Sequence, residues 1–169
     1  MPDMLLAVDT NFAMDCAHPR DVALDALEII QQRLRGARIL VTTTVLDELA
    51  TKAHSDPDAK TRESARTALL RMRSEWGMQP VELSDLQAVT ARNIANRLLD
   101  GGIIEWEEKN DARIVAEAAV LGCQLLISSD GHLCHADPAR LALALQECGV
   151  SVVLVFPPAK IVREFAGRR

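Results

Sequence analysis

Asp9, Glu48, Asp111 and Asp130 are the residues through which this 169-residue sequence could do chemistry. Asp9 ends an apolar run, Met4-Leu5-Leu6-Ala7-Val8, and is followed by a hydroxyl and an amide, Thr10 and Asn11. Glu48 comes shortly after a second run, Arg38-Ile39-Leu40-Val41. Asp111 opens the most regular helical pattern in the chain, and Asp130 follows Leu125-Leu126-Ile127-Ser128-Ser129. Short apolar runs bounded by polar residues suit buried strands. In an open parallel sheet, ligands bind beyond the carboxyl ends of the strands. All four acids can lie at that edge. Brought together they repel one another unless a cation sits among them. Hard ions such as Mg²⁺ and Mn²⁺ take oxygen ligands, and Mg²⁺ keeps several waters. The chemistry that fits is metal-assisted displacement at phosphorus.

The elements that must position these acids alternate between strand and helix. The first strand covers residues 4–8, followed by a short loop through Cys16, His18 and Pro19. Asp21 caps a helix in which Val22, Leu24, Leu27, Ile30 and Leu34 recur at helical spacing, and Gly36 ends it. A second strand covers 38–41. The next helix carries Val45, Leu46 and Leu49 inward and breaks at 54–58. A basic helix is expected over 60–73, a third short strand over 80–83, and a helix capped by Ser84-Asp85 with Leu86, Val89, Ile94 and Leu98 inward. Residues 103–109 are acidic and carry no clear pattern. The helix from Asn110-Asp111 stops at Gly122. A strand over 124–128, a helix over 138–148 and a strand over 150–156 follow, then Pro157-Pro158 and a short polar tail. This alternation predicts a mainly parallel sheet covered on both faces. No linker separates parts of the chain, so residues 1–169 are expected to form one domain.

Aromatic residues are 3% and Tyr is absent, so the core must be aliphatic, and few residues could stack single-stranded bases. The net charge of −5 argues against a whole-surface grip on nucleic acid. A local patch remains: Lys60, Arg62, Arg66 and Arg73 on the basic helix could contact RNA phosphates, although such a run is ordinarily a solvated face. No apolar run approaches the roughly 20 residues that span a bilayer, and no signal peptide is visible at the start. A cytoplasmic protein with reduced Cys16, Cys123, Cys134 and Cys148 is expected. Cys16-Ala17-His18 and His132-Leu133-Cys134-His135 suggest zinc, but match none of its usual spacings. Trp76 and Trp106 read as packing or interface residues.

Four segments, Val8-Asp9-Thr10-Asn11, Val45-Leu46-Asp47-Glu48-Leu49, Asn110-Asp111-Ala112-Arg113-Ile114-Val115-Ala116-Glu117-Ala118 and Leu126-Ile127-Ser128-Ser129-Asp130, resemble the successive motifs of the PIN-domain family. They do so in order, in approximate spacing and over nearly all of the chain. The resemblance implies a three-layer α/β/α sandwich around a central, mainly parallel sheet. It also implies an Mg²⁺- or Mn²⁺-dependent endoribonuclease. By position, Asp9, Glu48, Asp111 and Asp130 are then the catalytic and metal-binding acids, with Thr10, Asn11 and Ser128 in support. Implied partners are an RNA substrate, a second copy of the chain and an antitoxin-type protein covering the cleft. Two features depart from the family's pattern. Gly131-His132-Leu133 stands where the family often has another acid, with Asp137 further along. The stretch 56–102 is longer than in the smallest members, which include toxin ribonucleases of bacterial toxin–antitoxin pairs.

Each acid also has an ordinary reading. Asp9 and Asp130 suit turns, Asp111 suits a helix start, and either Asp47 or Glu48 suits a first helical turn. The alternative function is a catalytically silent RNA-binding or scaffold protein of the same fold, which would have lost acids; all four are present. A phosphatase using Asp9 as nucleophile needs a second acid two residues on, where Asn11 stands. A phosphorylated receiver domain fits poorly, because its acid would have to be Asp85 and its Lys would be Lys160.

Overall fold

In the computed structural model, which describes residues 3–19 and 21–166, strand β1 (Leu5–Val8) lies at the centre of a five-stranded sheet. β2 (Arg38–Val41) and β3 (Met78–Pro80) lie to one side of it, and β4 (Leu125–Ile127) and β5 (Leu154–Phe156) to the other. Every pairing is parallel, with Leu6 opposite both Ile39 and Leu125. Successive residues of a strand point to opposite faces. Leu6, Ala7 and Val8 are all buried, as are Leu125, Leu126 and Ile127, so helices cover both faces of the sheet. The order β3-β2-β1-β4-β5 reverses direction at β1, which makes the carboxyl ends of β1 and β4 the topological switch point. Asp9 and Asp130 follow those two strands.

The helices are α1 (Thr10–Asp15), α2 (Val22–Arg33), α3 (Thr43–Ser55), α4 (Ala59–Arg71), α5 (Asp85–Asp100), α6 (Lys109–Val120), α7 (Gly131–Cys134), α8 (Pro138–Glu147) and α9 (Pro158–Ala166). Local signals set several of their ends. Asp21 accepts the Ala23 N–H at 2.9 Å, as expected of a cap. Ser84 and Gln87 form a reciprocal capping box at the start of α5. Gly122, at φ +81°, turns the chain out of α6 in a conformation that disfavours any side chain. α6 is buried on nearly every side, including Ala112, Ile114, Val115, Ala116 and Ala118, and it packs between α5 and α3. A helix buried all round is held rigidly, and its first turn carries Asp111.

The expected elements differ from the observed ones in several places. The loop after Asn11 is α1, because Asp9 caps it and Phe12 and Ala13 are buried. The third strand starts two residues early, since Gly77 (φ +62°) makes the turn and Met78 is buried; Val81 still donates to the Val41 carbonyl. The last strand is shorter than 150–156, because the Val150 N–H turns back to Leu145. The polar tail is α9, whose Ile161 is fully buried and which packs on α2. On α5, Leu86 and Val89 are exposed, and Ala91, Ile94, Ala95 and Leu98 form the inward stripe. Within 103–109, Trp106–Glu108 is a 3-10 turn leading into α6.

One buried acid holds two helices together. Thr42 caps α3 without a side-chain hydrogen bond. Glu117 of α6 takes that role, accepting the Thr44 N–H at 3.1 Å and the Thr44 hydroxyl at 2.7 Å. Replacing Glu117 by Ala leaves an end-of-helix amide without a partner, at a cost of about 1–3 kcal/mol. Thermal denaturation should show a melting point several degrees lower; an unchanged value would mean that α3 needs no such anchor.

Candidate metal centre

Asp9 is the deepest of the candidate acids, 2% exposed. Its N–H donates to the Ile127 carbonyl at 3.0 Å, locking it beside β4. Its carboxylate accepts the Phe12 N–H at 2.7 Å and the Ser128 hydroxyl. Ser128 in turn accepts the Asp130 N–H at 3.0 Å, so the ends of β1 and β4 are tied through one hydroxyl. Burial pushes the Asp9 carboxyl up to about 6, against the opposing pull of the Ser128 and Phe12 hydrogen bonds. Asp130 caps α7, one oxygen accepting the N–H groups of His132 at 2.7 Å and Leu133 at 3.3 Å.

Glu48 and Asp111 reach the same place from helices. Burial raises the Glu48 carboxyl above its ordinary range, with Lys52 opposing and Asp130 and Glu117 adding to the rise. Burial also raises Asp111, to about 7, helped by the negative charges of Asp130, Glu108, Asp9 and Glu48. Glu48 Oε1 and Asp111 Oδ2 are buried without a hydrogen-bond partner, as is the Thr10 hydroxyl. Buried polar atoms are ordinarily paired.

These residues line a cleft of about 260 Å³, together with Asn11, Lys52, Glu107, Lys109 and Asn110. Glu48, rather than its neighbour Asp47, is the acid that enters it. The cleft also holds Glu108, an acid that the motif pattern does not point to. One carboxylate oxygen each of Glu108, Asp111 and Asp130 lie within 4.8 Å of one another. Glu108 stands three residues before Asp111, and residues at that spacing share a helical face; this is the signal that could have found it. All-oxygen donors, two of them buried and unpaired, fit a hard divalent cation.

Other candidates lie elsewhere. Asp137 caps α8 and borders a neighbouring cavity. None of Lys60, Arg62, Arg66 and Arg73 lines the cleft. Arg62 donates to the carbonyls of Asp56 and Pro57, and Arg66 to that of Ala53, so these two satisfy the carboxyl end of α3. Among the described residues the three-ligand group found is Glu108, Asp111 and Asp130, and neither Cys–His segment contributes to it. Cys16 and Cys123 are buried, and burial pushes the Cys123 thiol up to about 12. Trp76 is core, whereas Trp106 is 58% exposed on the turn that carries Glu107 and Glu108.

Comparison with known proteins gives the family and the fold. The family model described as the PIN domain matches residues 6–138. Among solved structures, VapBC-1 from nontypeable Haemophilus influenzae is similar at 16% identity and a TM-score of 0.59, covering 92% of this chain and 99% of that one. VapBC2 from Rickettsia felis, bound to a DNA fragment from its promoter, is similar at 14% identity and a TM-score of 0.57, covering 90% and 98%. VapBC-5 from Mycobacterium tuberculosis, a member of the VapBC family of toxin-antitoxin systems, is similar at 18% identity and a TM-score of 0.52, covering 90% and 98%. Identities this low speak for the fold. No curated protein sequence matches the chain.

Proposed function

The chain belongs to the PIN-domain family, and from that premise we propose that it is a divalent-cation-dependent endoribonuclease acting as one domain. PIN domains are generally nucleases. The observation that carries the finer reading is the pair of buried, unpartnered carboxylate oxygens on Glu48 and Asp111, in a cleft where further acids converge. Such a cluster is costly by itself and becomes favourable with an Mg²⁺ or Mn²⁺ ion among the acids.

Asp111, Asp130 and Glu108 would supply the closest oxygens, with Asp9 and Glu48 completing the set directly or through water. A bound divalent cation lowers the pKa of a water and stabilises the leaving oxygen of a phosphodiester. The protein's own part is positioning. Ser128 holds Asp9 in one orientation, Asp9 holds the start of α1, and the Thr10 hydroxyl and Asn11 offer polar contacts at the cleft wall. In the cation-free chain burial raises the Asp9, Glu48 and Asp111 carboxyls above the ordinary range, so a cation that binds there displaces protons from them.

The setting is also proposed by likeness. The solved relatives named above are VapBC pairs, and one is described as a toxin-antitoxin system. On that pattern an antitoxin-type protein would cover the cleft, a second copy of the chain would pair with it, and both would act in the cytoplasm. Among the described residues no helix is long and apolar enough to cross a membrane.

The test is cleavage of an end-labelled single-stranded RNA pool with Mn²⁺, with Mg²⁺ and with EDTA. Asp9→Asn runs alongside; Asn can still cap α1, so the fold should survive. Cutting should require the cation and disappear in the variant. Cutting that persists in EDTA, or in Asp9→Asn with the same cation requirement, would contradict the proposal.

A further inference from the structure

A second cavity, of about 500 Å³, runs along α3 from Thr44 to Pro57 beside the start of α6. Glu48, Lys52 and Asn110 line both it and the acidic cleft, so the two adjoin along these side chains. Its positive charge comes from Lys52 and Arg113. Neither has a hydrogen-bond or ion-pair partner among the described residues, whereas Arg62, Arg66 and Arg140 are each bound to backbone carbonyls. Of the acids on its walls besides Glu48, Asp56 accepts the Asp58 N–H at 2.9 Å, and Asp47 is exposed. On the other side of the cleft, a cavity of about 310 Å³ shares Glu108 and Asp111 with it and adds Glu105 and Asp137, and its Arg140 is held by the Gly101 carbonyl at 2.8 Å. The α3–α6 cavity thus sets two cations without partners against Asp47, Glu48 and Asp56, and the other sets one tied arginine, with His132 and His135, against four acids, so a polyanion meets unengaged arginine and lysine on the α3–α6 side.

We infer that a single-stranded nucleic acid passes from the acids along the α3–α6 cavity, with Lys52 and Arg113 each contacting a backbone phosphate. This deepens the reading of the cleft as a phosphodiester site and rests on it. Lys52 stands one helical turn beyond Glu48, about 6 Å along the same face. It therefore takes the phosphate next to the acids, and Arg113, outside the acidic cleft, takes the one beyond. Lys60 and Arg73 lie off this path. Contacts of this kind position a strand without reading its sequence.

The test is fluorescence anisotropy of a labelled, mixed-sequence single-stranded deoxyoctanucleotide with the full chain and Mg²⁺. Arg113→Ala should weaken binding about tenfold, and the double change with Lys52→Ala more than that. The slope of log affinity against log salt should shrink by about 0.7 for each phosphate left without its cation. Arg113→Lys should restore most of the affinity. Arg113 is exposed, so its variants should melt with the parent. Lys60→Ala with Arg73→Ala should bind as the parent does. A parent that does not bind, an Arg113→Ala chain that binds unchanged, or a loss confined to Lys60 and Arg73 would each overturn the strand path. RNA that stays uncut while binding depends on Arg113 would sink the nuclease reading and leave the path standing. Cutting together with Arg113-independent binding would do the reverse.

Discussion

Asn in place of Asp111 should abolish cation-dependent cleavage and, at the same time, make the cation-free chain more stable at neutral pH. The two effects have one cause. Asp111 carries a buried oxygen with no partner, and burial together with four neighbouring acids raises its carboxyl to about 7. The folded chain therefore disfavours the charged form. Below the ordinary value of 3.8 both folded and unfolded chains hold the proton, and the group costs nothing. As pH rises from about 4 to about 7, the unfolded chain ionises first and folding stability falls; above 7 the loss is complete. Solvent reaches part of the side chain and screens it, so the penalty is about 1–2 kcal/mol. Asn removes it, and the variant should melt a few degrees higher at pH 8 in EDTA, with the gap closing towards pH 4. Cleavage should fall by more than about 100-fold, the loss that outer-shell partners alone can cause. An Asn variant that is less stable at pH 8 would show that Asp111 is structural.

Cation-supported activity and cation-induced stabilisation should both fade steeply below neutral pH. Asp9 is raised to about 6 and Asp111 to about 7, and both must be carboxylates to serve as ligands. Binding therefore displaces protons over this range. Above about pH 7 the apparent affinity should level off. Between 6 and 7 it should fall about tenfold per unit, and below 6 it should approach a hundredfold per unit as the second group protonates. Between pH 8 and 5 the combined loss is about a thousandfold. The melting-point gain from Mn²⁺ should be large at pH 8 and nearly absent at pH 5, and the pH profile of cleavage should rise over the same window. A gain that is flat from 5 to 8 would mean that these acids do not bind the ion.

The candidate cleft was legible in the sequence where an acid follows a strand. Asp9 stands immediately beyond an apolar run and Asp130 two serines beyond another, and a parallel sheet brings such points to one edge by geometry alone. Glu48 and Asp111 needed the motif order, because an acid in the first turns of a helix is ordinary. Glu108 was hidden because residues 103–109 carry no period; its place three residues before Asp111, at the end of the turn Trp106–Glu108, brings it into the cluster. The basic helix is a different case. Charge pattern shows which residues are cationic, but not that Arg62 and Arg66 are consumed by the carbonyls at the end of α3. Lys52 and Arg113 are scattered singly in the sequence and meet only through the packing of α3 on α6. Among the elements, α9 was missed because two prolines read as a stop, although Pro158 opens a helix whose Ile161 is buried. Leu86 and Val89 fit a helical period and still face solvent, since the buried stripe of α5 runs through Ala91, Ile94, Ala95 and Leu98 instead.

Titration calorimetry of Mn²⁺ into the cation-free chain at pH 8 decides whether these acids form a metal centre. Saturable binding is expected, with a heat that varies with the buffer's ionisation because protons are released, and with binding lost in Asp111→Asn. No saturable binding by the parent chain, or equal binding by Asp111→Asn, would contradict it.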